Sequence, residues 1–311
     1  MPFSSKMLRT LEFDKITEML ADHAAVDGAK GRALALLPSE DPVTVARRQN
    51  RTEDAKRLIN HKGYPSFSAD ESVVASAERA YKGAVLAPKE LLSIASLLTS
   101  TRALLDYLHT DKPFDTCLDE LFARLMPSRS LEDRIRSAIL SEDMIADEAS
   151  PALADIRRKI RIANNKIKDS LQSYVGGNRL KYLQENIVTM RNGRYVVPVK
   201  AEYRNEIKGL VHDTSSSGAT LFIEPMAVVD ANNELKSLAA AERNEIDRIL
   251  AELSAECAAH AGAILSNCHN MTEIAFAYTC ASYAEAIGAH PPIVTEEKKI
   301  RIFRGRHPLI D

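Results

Sequence analysis

Tryptophan is absent from this 311-residue chain, and aromatic residues of all kinds make up only 5% of it. A chain so poor in large rings, with 45% hydrophobic residues and frequent Ala and Leu, packs helix on helix more readily than it builds a sandwich or barrel. There are four cysteines, Cys117, Cys257, Cys268 and Cys280, and no C-x-x-C pair. That spacing argues against a disulfide framework or a structural zinc site and fits a reducing, cytoplasmic setting. No unbroken apolar run approaches the roughly 18 residues of a membrane-spanning helix, so no membrane partner is expected. The opening MPFSSKMLRTLEFDK has no continuous apolar stretch of the kind a signal peptide carries. G-x-x-x-x-G-K-[S/T], H-E-x-x-H and G-x-G-x-x-G are all missing, which leaves no basis for nucleotide hydrolysis, zinc-protease chemistry or dinucleotide binding within these residues.

What is present is an uneven charge. Between Ile156 and Leu210 there are 13 Lys and Arg against 4 Asp and Glu, whereas the whole chain carries a net charge of −2. A basic segment on an otherwise acidic chain attracts polyanions through that segment alone.

The first 150 residues read as helices with marked ends. Asp41-Pro42 is an N-cap followed by Pro at the first helical position, and Pro88 opens a second helix in the same way. Leu91, Ile94, Leu98, Leu105 and Leu108 recur at three-, four- and seven-residue spacing and form one apolar face. From about Ser150 the pattern changes. Pro151 opens a helix whose Leu153, Ile156, Ile160, Ile167 and Leu171 form a narrow stripe on an otherwise polar surface, as in a projecting arm or two-helix coiled coil. Gly176-Gly177-Asn178 ends or bends it.

The strand-rich part follows. Ile187–Arg191 and Arg194–Val199 flank Asn192-Gly193, a hairpin signal because both turn residues must take positive φ. Pro198 lacks an N–H, which predicts an edge strand. A second pair, Gly209–His212 and Ala219–Ile223, surrounds Thr214–Gly218, so a small antiparallel sheet of about four strands is expected. Helical spacing then runs without Pro or Gly to Gly262, predicting a returning helix of ~35 residues and ~50 Å. A final helix is expected over Met271–Ile287, and Lys299–Phe303 reads as a strand. The predicted fold class is therefore mainly α: an elongated helical body with long antiparallel arm helices and a small β-rich tip inserted between them. The predicted segments are 1–149, 150–225, 226–298 and 299–311.

His212-Asp213-Thr214-Ser215-Ser216-Ser217 contains the residue types of a hydrolytic triad, but neighbours on a strand point to opposite faces. Asp and Ser capping a turn, with Gly218 supplying the special φ, explains more. Cys257, His260, Cys268, His269 and Cys280 lack the paired spacing of zinc ligands, and helical core cysteines are the better reading. No catalytic, cofactor-binding or metal-binding residue is assigned. The candidate nucleic-acid contacts are Arg179, Lys181, Arg191, Arg194, Lys200, Arg204 and Lys208, interleaved with Tyr174, Tyr182, Tyr195 and Tyr203. Arg191 and Arg194 bracket the Asn-Gly turn and are the leading candidates for phosphate contact.

The run from Arg191 to Leu250, RNGRYVVPVKAEYRNEIKGLVHDTSSSGATLFIEPMAVVDANNELKSLAAAERNEIDRIL, resembles the clamp and returning lever helix of the MutS family in its second bacterial branch. Thr10–Ile16, Leu37-Pro38 with the helix through Glu53 and Ala55, and Gly305–Leu309 agree with it. The resemblance implies core and lever helices carrying a clamp, with a dimerising ATPase domain and a small nuclease domain beyond. It implies DNA, branched or duplex, as partner, suppression of recombination, an association with stalled or collided ribosomes and their RNA, and a homodimer. Because the sequence stops at Asp311, on what reads as the opening of that ATPase domain, a non-catalytic fragment is expected, with ATP and Mg bound only in the domains beyond. A coiled-coil interaction or dimerisation scaffold is the alternative.

Overall fold

The computed structural model describes residues 3–68, 70, 72–111, 114–295 and 299–310. The helices are α1 Ser5–Thr10, α2 Phe13–Ala21, α3 Asp27–Leu34, α4 Pro42–Lys62, α5 Ser72–Tyr81, α6 Pro88–His109, α7 Asp119–Phe122, α8 Arg129–Ala138, α9 Pro151–Val175, α10 Val229–Ala259 and α11 Ala261–Ala286. The strands are β1 Ile139–Ser141, β2 Met144–Ile145, β3 Thr189–Arg191, β4 Arg194–Lys200, β5 Gly209–Thr214 and β6 Thr220–Pro225. The predicted mainly α class with a small antiparallel sheet is what is found. The chain divides into two compact units, Met1–Met144 with Leu250–Asp311, and Ile145–Ile249.

The first unit is a helical body centred on α11. Ile264, Met271, Ile274, Ala275, Tyr278 and Ala281 on that helix are fully buried. Tyr278 meets Tyr64, Phe67 and Tyr107 edge-on at 5.6, 5.7 and 6.3 Å between ring centroids, so four of the chain's aromatics are pooled in this unit. α3 packs on α11 through small residues. Ala29 and Ala33 are fully buried, and a Cβ at Gly28 would lie 2.7 Å from Thr272 Oγ1. Asp41 caps α4 as its position before Pro42 predicts, accepting from the Val43 and Thr44 amides. By length and average composition α6 is long and apolar enough to cross a membrane, although Ser93, Thr99, Ser100, Thr101, Arg102 and Asp106 interrupt its apolar residues. Half of that stretch is buried, with Leu91, Ile94 and Leu97 fully covered as core residues of this unit.

The second unit holds the four-stranded sheet, in the order β3-β4-β6-β5 and antiparallel throughout. α9 is 25 residues, ~37 Å long, and is capped by Ser150 Oγ, which accepts from the Leu153 amide at 2.9 Å. One sheet face buries Val197, Val199 and Ile223 against Ile167 and Leu171 of α9 and Val228 and Ala231. The helices run antiparallel within this unit. Ser150 donates to Glu245 at 2.6 Å and Arg157 to Glu242 at 2.7 Å, so the start of α9 lies beside a later part of α10.

Four predicted features differ from the structure. Pro198 predicts an edge strand, but β4 lies inside the sheet. β3 pairs only with residues 194–196, and at Pro198 that flank of β4 is met by the Gln184 amide, which donates to the Pro198 carbonyl at 2.9 Å. A residue's N–H and C=O share one flank of a strand, so the missing N–H takes no hydrogen bond from the β6 ladder. The returning helix ends at Ala259, and at His260 the backbone leaves helical geometry (φ −102°, ψ 7°) with its amide shared between the Glu256 and Cys257 carbonyls at 3.2 and 3.1 Å. The last helix consequently starts at Ala261, ten residues before the expected Met271. Lys299–Phe303 is not a strand, because among the described residues no neighbouring segment offers it a ladder; Ile300, Ile302 and Phe303 are exposed.

Candidate nucleic-acid interface

The hairpin forms as its sequence dictates. Asn192 and Gly193 take φ of 51° and 73°, the turn that matches strand twist, and set Arg191 opposite Arg194. The two arginines nonetheless have different surroundings. Arg191 lies over the Phe222 ring, 4.1 Å from its centroid, with Nε 3.4 Å from the Asp213 carboxylate and 39% of its side chain exposed. Arg194 is committed inward. Its Nη1 donates to both oxygens of Glu224 at 2.8 and 2.9 Å, and its Nη2 donates to Asn233 at 2.6 Å.

Glu224 is fully buried, and four contacts satisfy its carboxylate. Besides the Arg194 pair, Oε1 accepts from Asn232 Nδ2 at 2.7 Å and Oε2 lies 2.5 Å from His212 Nε2. Asn232 also pairs with the Tyr195 backbone, accepting from its amide and donating to its carbonyl, both at 3.1 Å. Three strands and the start of α10 thus converge on one carboxylate. A β-bulge delivers the histidine. Val211 pairs with Ile223 and Asp213 with Phe222, so His212 is an extra residue in β5. His212 therefore serves as a partner of Glu224. The neighbouring serines form a turn: Ser215 Oγ accepts from the Thr220 amide, the Gly218 amide donates to the Ser215 carbonyl, and Gly218 has φ of 73°.

The remaining candidate cations gather elsewhere in the unit. Arg179 sits 4.5 Å from the Tyr174 centroid and Lys181 Nζ 4.9 Å from that of Tyr182. Tyr182 and Tyr203 meet at 5.3 Å, and Lys200 Nζ lies 6.0 Å from the Tyr203 ring and donates to the Lys181 carbonyl at 3.3 Å. The sequence interleaving has become a spatial cluster, in which Tyr174 and Tyr182 each carry a cation against the ring and so orient cation heads. Arg179 and Lys181 are exposed, as is Lys208; Arg204 is half-buried and donates to the Gly209 carbonyl at 3.3 Å. Tyr195 is drawn away to α9, where its hydroxyl donates to Asn164 at 2.9 Å.

Sequence reasoning missed Glu224, Asn232 and Asn233. One signal was available: a lone Glu in the apolar run Leu221-Phe222-Ile223-Glu224-Pro225 either breaks a buried strand or has partners waiting. The cysteines carry no such chemistry. Cys257 and Cys268 are buried, and burial pushes their thiols up to about 12 and about 11. Among the described residues no three His, Cys, Asp or Glu side chains converge as metal ligands would.

The architecture thus defines a mainly α protein whose four-stranded antiparallel sheet falls, in chain order, between two long helices. No family model matches the chain. Curated relatives do. It is 43% identical to the Endonuclease MutS2 of Acetivibrio thermocellus over 312 residues, 99% of this chain and 39% of that protein. It is 40% identical to the protein of the same name from Pelotomaculum thermopropionicum over 306 residues, 98% of this chain and 39% of that protein. The chain is a homologue of the MutS2 proteins along nearly its whole length, and it spans about two fifths of theirs.

Proposed function

We propose that this chain is a non-catalytic lever and clamp portion of a MutS-like DNA-binding ATPase, and that its second unit grips nucleic acid, DNA first and ribosomal RNA second. The observation that supports this reading most directly is the cluster of Arg179, Lys181 and Lys200 around Tyr174, Tyr182 and Tyr203, with Lys208 exposed in the same unit. The grip is electrostatic and largely indifferent to sequence. Opening and closing of the arm helices belongs to an ATPase domain of the longer protein, acting as a homodimer on branched or duplex DNA. Suppression of recombination and rescue of stalled or collided ribosomes, in a cytoplasmic setting, are the roles this grip would serve. Arg194, bound to Glu224, anchors the sheet whose strand β4 ends in Lys200.

The test is fluorescence anisotropy of labelled four-way-junction, duplex and single-stranded DNA and of a ribosomal RNA hairpin over a salt series. Log affinity should fall with log salt at about −0.9 per phosphate neutralised, and Arg179→Glu/Lys181→Glu should weaken binding and flatten that slope by about 1 for each phosphate no longer neutralised. Salt-insensitive binding, or binding that the double variant leaves unchanged, would overturn the reading. A coiled-coil scaffold is less well supported, because Leu153, at the head of the α9 stripe, is already fully buried within the chain.

A further inference from the structure

The first unit contains a cavity of about 280 Å³ that the proposed grip does not use. Its floor is apolar: Phe13, Leu36, Leu37, Phe276, Ala277 and Cys280. Its wall is cationic. α4 contributes Arg47, Arg48 and Arg51, and α3 contributes Arg32. Against these four guanidinium groups the lining offers one carboxylate, Glu273, shared by Arg32 at 2.9 Å and Arg51 at 3.4 Å. Arg48 donates to the Leu37 carbonyl at 2.9 Å, which holds the α3–α4 loop as a lip, and Arg32 lies 6.0 Å from the Phe276 centroid.

Helical spacing explains the convergence. Glu273, Phe276, Ala277 and Cys280 recur at three, four and seven residues on α11 and form one face, with the acid at one end and the apolar groups beyond it. Arg47, Arg48 and Arg51 fall on neighbouring positions of α4, the helix packed beside α11. Arg32, Arg47 and Arg48 are exposed at the rim, while Phe276 and Cys280 are partly covered deeper in. An excess of three positive charges over an apolar floor suits neither a neutral ligand nor a simple inorganic ion. The volume sits near the lower end of the roughly 300–1,000 Å³ typical of small-molecule pockets.

We propose that this cavity binds a small aromatic anion, its ring on the Leu37–Phe276–Cys280 floor and its phosphate or carboxylate against Arg47 and Arg48. Guanidinium forks match both oxyanions bidentately, so the rim selects for charge and the floor for an apolar ring. The probe is 8-anilinonaphthalene-1-sulfonate, itself an aromatic anion, titrated by fluorescence against the full chain. One saturable site is expected. Arg47→Glu/Arg48→Glu should weaken it about tenfold or more, the loss of one or two charge-assisted hydrogen bonds. Leu37→Glu, at the exposed edge of that floor, should do the same without touching the core, and circular dichroism should show both variants as helical as the parent. Phenyl phosphate and benzoate are then used as competitors. Displacement by either supports the site and names its anion. Failure of both to displace the probe, or undiminished probe binding by the folded variants, would overturn the proposal.

Discussion

Each unit buries one glutamate among cations, and the two sites hold their surroundings differently. In the first unit Glu132, 4% exposed, joins α8 to α6 by accepting from Thr99 at 2.7 Å and Arg102 at 3.2 Å. Its two arginines remain in contact with water, Arg102 at 42% and Arg136 at 45% side-chain exposure. Burial alone would push the Glu132 carboxyl up; hydrogen bonds from Thr99 and Arg102, with the Arg102 and Arg136 charges, outweigh it and hold it below the usual range. In the second unit Glu224 has no exposure, and Arg194 and His212 keep 19% each. The first is a staple at the rim of a large apolar body, where Ile94, Leu97, Ile135 and Tyr278 carry the packing. The second stands where the apolar core is small and the sheet must be fixed to a helix by polar groups. A buried charge is expendable where hydrophobic burial already specifies the arrangement, and costly to remove where it does the specifying.

The largest expected effect breaks this contrast directly. Glu224→Ala leaves Arg194, His212 and Asn232 facing one another without their acceptor, and should cost about 3–5 kcal/mol. Glu132→Ala, whose arginines can turn to water, should cost about 1–3 kcal/mol. Denaturant unfolding gives both values, and hydrogen exchange should show Glu224→Ala exposing β4 and β6 amides while α6 stays protected. Equal costs would dissolve the distinction. Next comes Gly209→Ala. A Cβ there would sit 2.1 Å from the Glu224 carbonyl oxygen, so the backbone that carries Glu224 must shift, at about 1–3 kcal/mol, measurable as a lower unfolding midpoint. The smallest effect concerns acid. Hydrogen bonds from Arg248 and then Ser150 hold the Glu245 carboxyl down to about 2, against about 4.3 for an unfolded chain. A depressed folded value contributes stability above the unfolded one and loses it as pH falls through the folded one. Glu245→Gln should therefore flatten the decline in stability between about pH 4.3 and 2. Parallel wild-type and variant curves in that window would remove Glu245 from the account.

Much of this molecule is legible from local pattern. Asp41-Pro42, Ser150-Pro151 and Asn192-Gly193 each satisfy a nearby backbone need, so three-to-four-residue reading finds them. The basic-aromatic interleaving around Tyr182 is legible for the same reason: the 3₁₀ turn at Gly177–Tyr182 keeps Arg179 and Lys181 close to Tyr174 and Tyr182 in sequence and in space. The role of Arg194 is not legible. Its partners Glu224 and Asn233 lie 30 and 39 residues away, and nothing in the hairpin distinguishes it from Arg191. Pro198 misleads because an edge is a property of each residue's flank, and one proline does not speak for its whole strand. Lys299–Phe303 misleads because alternation prepares a strand but cannot supply its neighbour.

The bulge at His212 bears on chain length. Removing that single residue would leave Val211 and Asp213 adjacent, opposite Ile223 and Phe222, in an uninterrupted ladder. The sheet can therefore be counted as complete without it, and the surplus position serves the carboxylate of Glu224 through its ring and the Asn192 side chain through its carbonyl. A deletion here is silent to strand pairing and loud to the ion cluster, so tolerance of a shortened β5 measures how far the second unit relies on that cluster.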